Sequence, residues 1–179
     1  KTGELMKLFK KLLIIIFSIA IIATASIYAI WHNEIATVAS IKTIINQDLS
    51  HDDGYTYEMY VSGDYYFEDF LKQGGATNDA ELIQFVTDHI TKGLIPMTIK
   101  SKEIACSSFT AWTEDKKFVF GRNYDFDQTN TAIVHTSPKG RHASISTIDL
   151  QFLGIKEESG ISSIKEKALL LAAPYIPLD

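Results

Sequence analysis

The chain has 179 residues, a net charge of -5 and one cysteine. The acidic balance argues against a nucleic-acid-binding protein, because such proteins present clustered lysine and arginine. A single cysteine excludes an internal disulfide, so the thiol is either reactive or incidental.

An apolar segment at residues 12–31 follows three lysines that lie within residues 7–11. About twenty uncharged residues form a helix long enough to cross the hydrocarbon core of a bilayer, and the lysines favour a cytoplasmic N-terminus. A cleavable signal peptide is the alternative, with the small residues 23–25 as its cleavage site. We therefore predict a signal anchor or signal peptide at residues 1–31, and a membrane-anchored or secreted protein whose remaining part is extracytoplasmic.

Apolar residues recur at helical spacing through residues 35–49, which predicts an amphipathic stalk helix that continues from the apolar segment. The many aromatic residues at 55–70 indicate a folded segment, because disordered linkers contain few aromatics. We expect residues 32–105 to form this stalk and an α-helical prosegment.

A further helix is predicted at residues 79–92, where an apolar stripe has clear start and stop signals. Asn78 and Glu81 resemble a capping box at its start. Gly93 is placed to end it, and Pro96 prevents its continuation. This helix should pack against the part of the chain that begins at Cys106.

The pattern becomes strand-like after residue 105. Alternating apolar residues predict one strand around Phe109 and Ala111 and a second strand around Phe118 and Phe120. The polar residues 114–116 are predicted to form the turn between them.

A second hairpin is predicted with strands at residues 131–136 and 142–148, because the residues between them include a proline and a glycine, which favour a turn. Residues 164–173 are apolar almost throughout, which is compatible with a buried helix or a buried strand.

The candidate catalytic residues are Cys106, Arg122 and Asp125. A tight hairpin would return the segment around Arg122 and Asp125 to the side of Cys106. An arginine there can favour the thiolate, and an aspartate can accept a hydrogen bond from an amine or orient a base. His135 and His142 lack a recognisable cysteine-protease setting, so we assign them no catalytic role.

A different base becomes available if the peptide bond between Ala105 and Cys106 is cut. Cleavage would give Cys106 a free α-amino group, whose ordinary pKa of about 7.7–8.0 suits general-base catalysis near neutral pH. One residue would then supply both the nucleophile and the base. The chemistry therefore identifies Ala105–Cys106 as a candidate autocleavage junction and the preceding chain as a propeptide.

The segments Cys106-Ser107-Ser108-Phe109 and Phe120-Gly121-Arg122-Asn123-Tyr124-Asp125-Phe126 resemble the start of a known enzyme family. This is the choloylglycine hydrolase and penicillin V acylase family of N-terminal nucleophile (Ntn) hydrolases, also described as linear amide C-N hydrolases. The resemblance extends more weakly through Ala143-Ser144-Ile145-Ser146 to Leu171-Ala172-Ala173-Pro174.

The resemblance implies an α+β protein in which residues 106–179 are the first part of an αββα sandwich with antiparallel sheets. It implies that Cys106 attacks an amide carbonyl, that Asp125 holds the freed α-amine, and that Arg122 supports the thiolate and the pocket. It also places an oxyanion-hole asparagine and a later arginine beyond Asp179. Because losing one oxyanion donor costs about a hundredfold or more in rate, we expect the 179 residues alone to be inactive. The sequence does not begin with methionine and stops directly after an apolar run, so we expect the chain to be open at both ends.

The long segment before Cys106 distinguishes this chain from the simplest family members, in which the nucleophile follows the initiator methionine. It resembles acid ceramidase, N-acylethanolamine amidase and self-cleaving acyltransferase relatives, so we expect autoproteolysis. The predicted function is hydrolysis of the linear amide of an N-acyl small molecule. The alternatives are an acyltransferase, or a membrane-tethered binding domain with an inert Cys106.

We expect no cofactor, no metal and no nucleic-acid partner. The membrane is a predicted partner through residues 12–31, and a homo-oligomer is compatible with the sequence. Neither the acyl group, the amine nor the residues that bind the substrate can be identified from it.

Overall fold

The structure, a computed structural model, describes residues 2–46, 54–98, 106–124, 129–155 and 160–176. It is a mixed α and β protein, as the sequence predicts. The helices are α1 Thr2–Ser40, α2 Phe67–Lys72, α3 Asp79–His89 and α4 Ile164–Leu169, with 3₁₀ turns at Leu150–Leu153 and Leu170–Tyr175. The strands are β1 Lys42–Ile45, β2 Thr56–Tyr60, β3 Cys106–Trp112, β4 Phe118–Tyr124, β5 Thr131–Thr136 and β6 Ser144–Asp149.

The first helix, α1, is long and apolar enough to cross a membrane by length and composition, and its most apolar part is not covered by other described residues. Its backbone leaves the helical region at Trp31, with φ -120° and ψ 23°. Beyond that kink the helix packs on the folded part. The Trp31 indole donates to the Ile90 carbonyl at 3.2 Å, and Glu34 and Thr37 are buried. Its role as an anchor or a signal sequence stays a prediction.

The predicted stalk helix over residues 35–49 is confirmed only as far as Ser40, where α1 ends. It is wrong for Lys42–Ile45, which form β1, and residues 47–49 lie outside the described residues. The Ser40 hydroxyl accepts the Tyr60 amide at 2.9 Å, which holds this point of the chain against β2. The next residues include Thr43, Ile44 and Ile45, whose β-branched side chains favour a strand. Among the described residues of segment 32–105, strands β1 and β2 therefore accompany α2, α3 and the end of α1, and the prediction of an all-helical segment is wrong.

The main sheet has the strand order β1-β2-β5-β6. Strands β5 and β6 form the predicted second hairpin and are antiparallel, with β6 starting at Ser144. Strands β2 and β5 are parallel, from Thr56 opposite Thr131 to Tyr60 opposite His135. Within residues 106–179 the described pairs β3–β4 and β5–β6 are antiparallel as predicted, but the main sheet as a whole is mixed, because β2 joins it in parallel. Parallel strands need a long crossover, and α2, α3 and the β3–β4 hairpin all lie in the connection.

Helix α3 matches its predicted start and ends slightly earlier than predicted. The Asn78 side chain accepts the Glu81 amide at 3.0 Å, while the Glu81 carboxylate accepts the Thr77 amide at 2.8 Å. In a capping box the Glu81 carboxylate would accept the Asn78 amide; here it accepts the amide of the preceding residue, Thr77. The helix ends at His89 with Ile90 as its C-cap. Gly93 lies in the turn beyond it with φ +74°, and its amide donates to the Thr87 carbonyl at 3.0 Å.

The core lies between one face of the main sheet, α3 and the C-terminal segment. Residues 164–173, compatible with a helix or a strand from sequence alone, form α4 and the start of the last 3₁₀ turn. The described residues before the predicted junction contribute Tyr57, Met59, Phe85, Val86, Ile90 and Met97 to the core, and those after it contribute Ala132, Val134, Ile148, Leu150, Leu153, Ile155, Leu170, Ala172 and Ala173. Chain segments on both sides of the predicted junction therefore share one core, and the domain boundary there stays a prediction.

Candidate active site

The candidate active site lies on the hairpin of β3 and β4, which forms a two-stranded sheet of its own. Its turn is closed by the Lys116 amide, which donates to the Thr113 carbonyl at 2.9 Å, and by the Thr113 amide, which donates to the Lys117 carbonyl at 2.8 Å. Lys116 adopts the left-handed conformation that this turn requires, with φ +59°. The predicted polar turn and its two flanking strands are thus confirmed.

The register of the hairpin decides which residues become neighbours. Cys106 lies opposite Tyr124, and Ser108 lies opposite Arg122. Alternate positions of a strand, with their register partners, share one face of a sheet. Cys106 and Arg122 therefore occupy diagonal positions of one face, which in antiparallel pairs are typically about 7–8 Å apart. An arginine side chain is long enough to span such a separation.

The other predicted site residues lie outside the described residues. Ala105 immediately precedes β3, and Asp125 immediately follows β4. Cys106, which adjoins Ala105, pairs with Tyr124, which adjoins Asp125. The hairpin therefore holds these two neighbouring positions together. The catalytic roles of Cys106, Arg122 and Asp125 stay predictions.

Glycine precedes Arg122 for a steric reason. The Phe109 ring lies across β4 opposite Gly121, and a Cβ atom at position 121 would lie 2.4 Å from Cζ of that ring. The ring is on the face opposite to that of Arg122, because the two residues occupy alternate positions. A glycine at this point therefore lets Phe109 cover the hairpin on one face while Arg122 occupies the other.

The face that contains Arg122 continues into an apolar strip that ends at the turn. The Trp112 and Phe118 rings meet edge to face, with centroids 5.3 Å apart. Trp112 is 71% exposed, Phe118 is 59% exposed and Phe120 is 52% exposed. Arg122 itself is only partly exposed. The arrangement thus places a cation between the cysteine position and a strip of aromatic side chains.

A second cluster of ionisable residues lies on the main sheet, around the Glu58 carboxylate. Tyr60 donates its hydroxyl to Glu58 Oε1 at 3.0 Å, Lys42 Nζ donates to Oε2 at 3.2 Å, and His135 Nε2 lies 3.1 Å from Oε1. The Tyr60 and His135 rings stack at a centroid distance of 4.3 Å. No local motif in the sequence signals this cluster, because Glu58 and His135 meet only when β2 joins β5.

The hydrogen bond from Tyr60, followed by those from Lys42 and His135, holds the pKa of Glu58 below its ordinary value. The favourable contribution of ionised Glu58 is therefore fully present above its unfolded pKa and is lost as the pH falls through the lower folded pKa. We expect Tyr60→Phe to raise the pKa of Glu58, measured by a carboxyl-carbon NMR titration. Tyr55→Phe is the matched control and should leave it unchanged. An unaltered Glu58 titration in Tyr60→Phe would contradict this assignment.

Within the part of the chain that the structure describes, no group of three or more His, Cys, Asp or Glu side chains is placed to hold a metal ion. Comparisons with protein-family models, with curated proteins and with solved structures return no match. The functional proposal therefore rests on the residues and geometry of the hairpin.

Proposed function

We propose that this protein is the precursor of an Ntn amidase that cuts the linear C-N amide bond of an N-acyl small molecule through Cys106. The observation that supports this most directly is the register of β3 and β4, in which Cys106 faces Tyr124 and Ser108 faces Arg122. This register puts a thiol position, a guanidinium and the attachment point of Asp125 at one end of one hairpin. These are the groups that the resemblance to the family requires.

Activation is a self-cleavage at the junction of Ala105 and Cys106. The Cys106 sulfur attacks the carbonyl carbon of Ala105, the C-N bond between the two residues breaks, and the nitrogen takes up a proton to become a free α-amine. Water then hydrolyses the thioester, which leaves a carboxylate on Ala105 and restores the thiol. The new α-amine has an ordinary pKa of about 7.7–8.0, so about 10–20% of it is unprotonated at pH 7 and is available as a base.

In turnover, the Cys106 α-amine takes the thiol proton while the sulfur attacks the carbonyl carbon of the substrate. The same amine gives that proton to the departing nitrogen, and a thioester with the acyl group remains. Water, deprotonated by the amine, hydrolyses this thioester and regenerates the thiol. We assign Arg122 to favour the thiolate and Asp125 to hold the α-amine.

The remaining proposals concern architecture and location. We assign the part of the two sheets that follows residue 105 to the αββα sandwich of Ntn hydrolases. We assign α1 to a membrane anchor with a cytoplasmic N-terminus, so the hairpin is extracytoplasmic. This assignment is supported by the uncovered apolar part of α1 and by the lysines at its start.

A non-catalytic binding domain is the second candidate. Apolar side chains are exposed on both faces of the hairpin, because Phe109, at 64% exposure, and Trp112 occupy opposite faces. Exposed apolar patches often mark sites of protein or membrane interaction. In this alternative Cys106 is chemically inert.

The two candidates are separated by mass spectrometry of the purified full-length precursor. We expect a second chain that begins at Cys106, its complete loss in Cys106→Ala, and its retention in the neighbouring control Ser107→Ala. A thiol-reactive acylating probe should label Cys106 only after cleavage. A precursor that stays one chain and still hydrolyses amides would refute the self-cleavage step, and an uncut, unlabelled Cys106 would favour the binding domain.

A further inference from the structure

We propose that a small cavity between α1 and residues 61–66 binds a primary ammonium group, carried by a soluble amine or by the head group of a lipid. The cavity has a volume of about 160 Å³, and Ile90 and Leu171 contribute to its apolar lining. None of the described lining residues belongs to the β3–β4 hairpin. The proposal therefore rests neither on the proposed amidase activity nor on self-cleavage.

The main ligand is Glu34, a carboxylate of α1 that lines the cavity. Glu34 is only 9% exposed, and glutamate is almost never fully buried unless it is paired. Its Oε1 accepts the Tyr66 hydroxyl at 2.6 Å, but this neutral donor does not balance a negative charge. Within the described part of the chain, Glu34 forms no ion pair and Oε2 accepts no hydrogen bond. A bound cation would supply the partner that a buried charge requires.

The cation of Lys92 contacts the phenol of Tyr66 and not the carboxylate. Its Nζ donates to the Tyr66 hydroxyl at 3.1 Å and lies 4.4 Å from the centroid of the Tyr66 ring. Lys92 is exposed and does not line the cavity. Burial, followed by the hydrogen bond to Glu34, raises the pKa of Tyr66, so the phenol stays protonated and remains a donor to Oε1. The second carboxylate oxygen is left for a ligand.

The other polar groups around the cavity supply mainly hydrogen-bond acceptors. Asp64 adds a second carboxylate to the lining. The Asn33 side-chain oxygen accepts the Ser62 hydroxyl at 3.2 Å, and the Thr37 hydroxyl accepts the Ser62 amide at 2.8 Å. The described lining contains no lysine or arginine. An anion would meet two like charges here, whereas a cation with N–H groups would meet acceptors.

The chemistry of the lining favours a primary ammonium over other cations. Three grouped side chains of the kind that hold a metal ion are absent from the described residues. A primary ammonium presents three N–H donors, which suit carboxylate and hydroxyl oxygens. A quaternary ammonium has no N–H and is recognised by aromatic faces, but Lys92 already lies over the Tyr66 ring. The volume is similar to the cavity of about 150 Å³ that holds benzene in another protein, so a group of about six heavy atoms fits.

The cavity lies at the end of the apolar part of α1. Ile30, at 50% exposure, belongs both to the apolar segment and to the cavity lining. Glu34 follows Trp31 by three residues, which is a rise of about 4.5 Å along a helix. For a chain anchored as proposed, the cavity is therefore at the level of the lipid head groups. Both a lipid amine and a soluble amine can reach it there.

The test follows the backbone amide signals of Ser62 and Tyr66 by NMR while ethylammonium chloride is added to the full chain in maltoside micelles. We expect saturable shifts of both signals in the wild type. Affinity should fall roughly tenfold or more in Glu34→Gln, because hydrogen bonds to charged groups are about twice as strong as neutral ones. The glutamine can still accept the Tyr66 hydroxyl, so the variant keeps the contact between α1 and residues 61–66.

Asp69→Asn is the matched control, because the Asp69 side chain is 52% exposed and is not part of the described lining. It should bind ethylammonium as the wild type does. Shifts that do not saturate, that sodium chloride reproduces at equal concentration, or that Glu34→Gln retains in full would overturn the proposal. Tetramethylammonium chloride tests the wild type without any substitution, and a response equal to that of ethylammonium would overturn the assignment to a primary ammonium.

Lipid nanodiscs identify the source of the group. If a lipid amine occupies the cavity, phosphatidylethanolamine nanodiscs should shift the same two amides relative to phosphatidylcholine nanodiscs and weaken the response to ethylammonium. Identical spectra in the two lipids, with the ethylammonium response intact, would assign the cavity to a soluble amine. Absence of both responses would overturn the proposal. Failure of the precursor to cleave itself or to hydrolyse amides would leave all of these results unaffected.

Discussion

Met59→Asp is expected to abolish the cooperative folding of this protein. Met59 is fully buried, and it lies opposite Val134 at the centre of the parallel pair β2–β5. A buried, unpaired carboxylate costs several kcal/mol, which is comparable with the total stability of about 5–15 kcal/mol of a typical domain. Protonation of the aspartate would reduce that cost but would still leave a polar group without a partner in an apolar core.

The measurement is denaturant-induced unfolding followed by circular dichroism. Met59→Leu is the matched control, because a hydrophobic swap of similar volume usually costs less than about 1.5 kcal/mol. We expect a cooperative transition in Met59→Leu and none in Met59→Asp. Similar midpoints in the two variants would show that this position is not in the core.

Gly54→Ala is expected to cost about 3 kcal/mol or more, at the high end of what overpacking does. A Cβ atom at this position would lie 1.8 Å from the Thr129 carbonyl oxygen and 2.5 Å from its carbon. These are backbone atoms, so no side-chain rotation relieves the clash. The two chain segments must move apart where β2 and β5 begin. This would strain the hydrogen bonds that join Tyr55 to Asn130 and to Thr131.

Gly74→Ala is the control for this prediction. Gly74 has φ +93°, and nothing lies within 4 Å of a Cβ atom placed there. An alanine at position 74 is strained but does not clash, and left-handed strain costs about 1–2 kcal/mol. Equal losses of unfolding free energy in the two variants would mean that the approach of Gly54 to Thr129 is not tight.

Local signals in the sequence were sufficient for the elements whose partners are close in the chain. The start of α3 follows from Asn78, which caps it, and Gly93 marks the turn that follows its end at His89. The β3–β4 and β5–β6 hairpins follow from alternating residues around a short turn. The candidate site could be predicted in the same way, because the turn between β3 and β4 fixes the register that relates Cys106 to Arg122.

The other elements depend on pairing between segments that are far apart in the chain, which local sequence signals do not show. The apolar residues at 35–45 fit a helical stripe, but pairing with β2 selects a strand at Lys42–Ile45. The parallel pairing of β2 with β5 joins segments separated by two helices and a hairpin, and nothing near either strand indicates it. The contact between Glu58 and His135 depends on that same pairing.

The kink at Trp31 has a mechanical consequence for a chain anchored as proposed. Membrane-spanning helices tilt by about 20° on average, and the tilt changes with bilayer thickness. A continuous α1 would transmit each change of tilt as torque to the folded part. The non-helical backbone at Trp31 acts as a joint between the apolar length and the packed end, while the indole bond to Ile90 fixes the position of that joint. For a chain anchored as proposed, this break in the helix would lessen the transmission of tilt from the apolar length to the folded part.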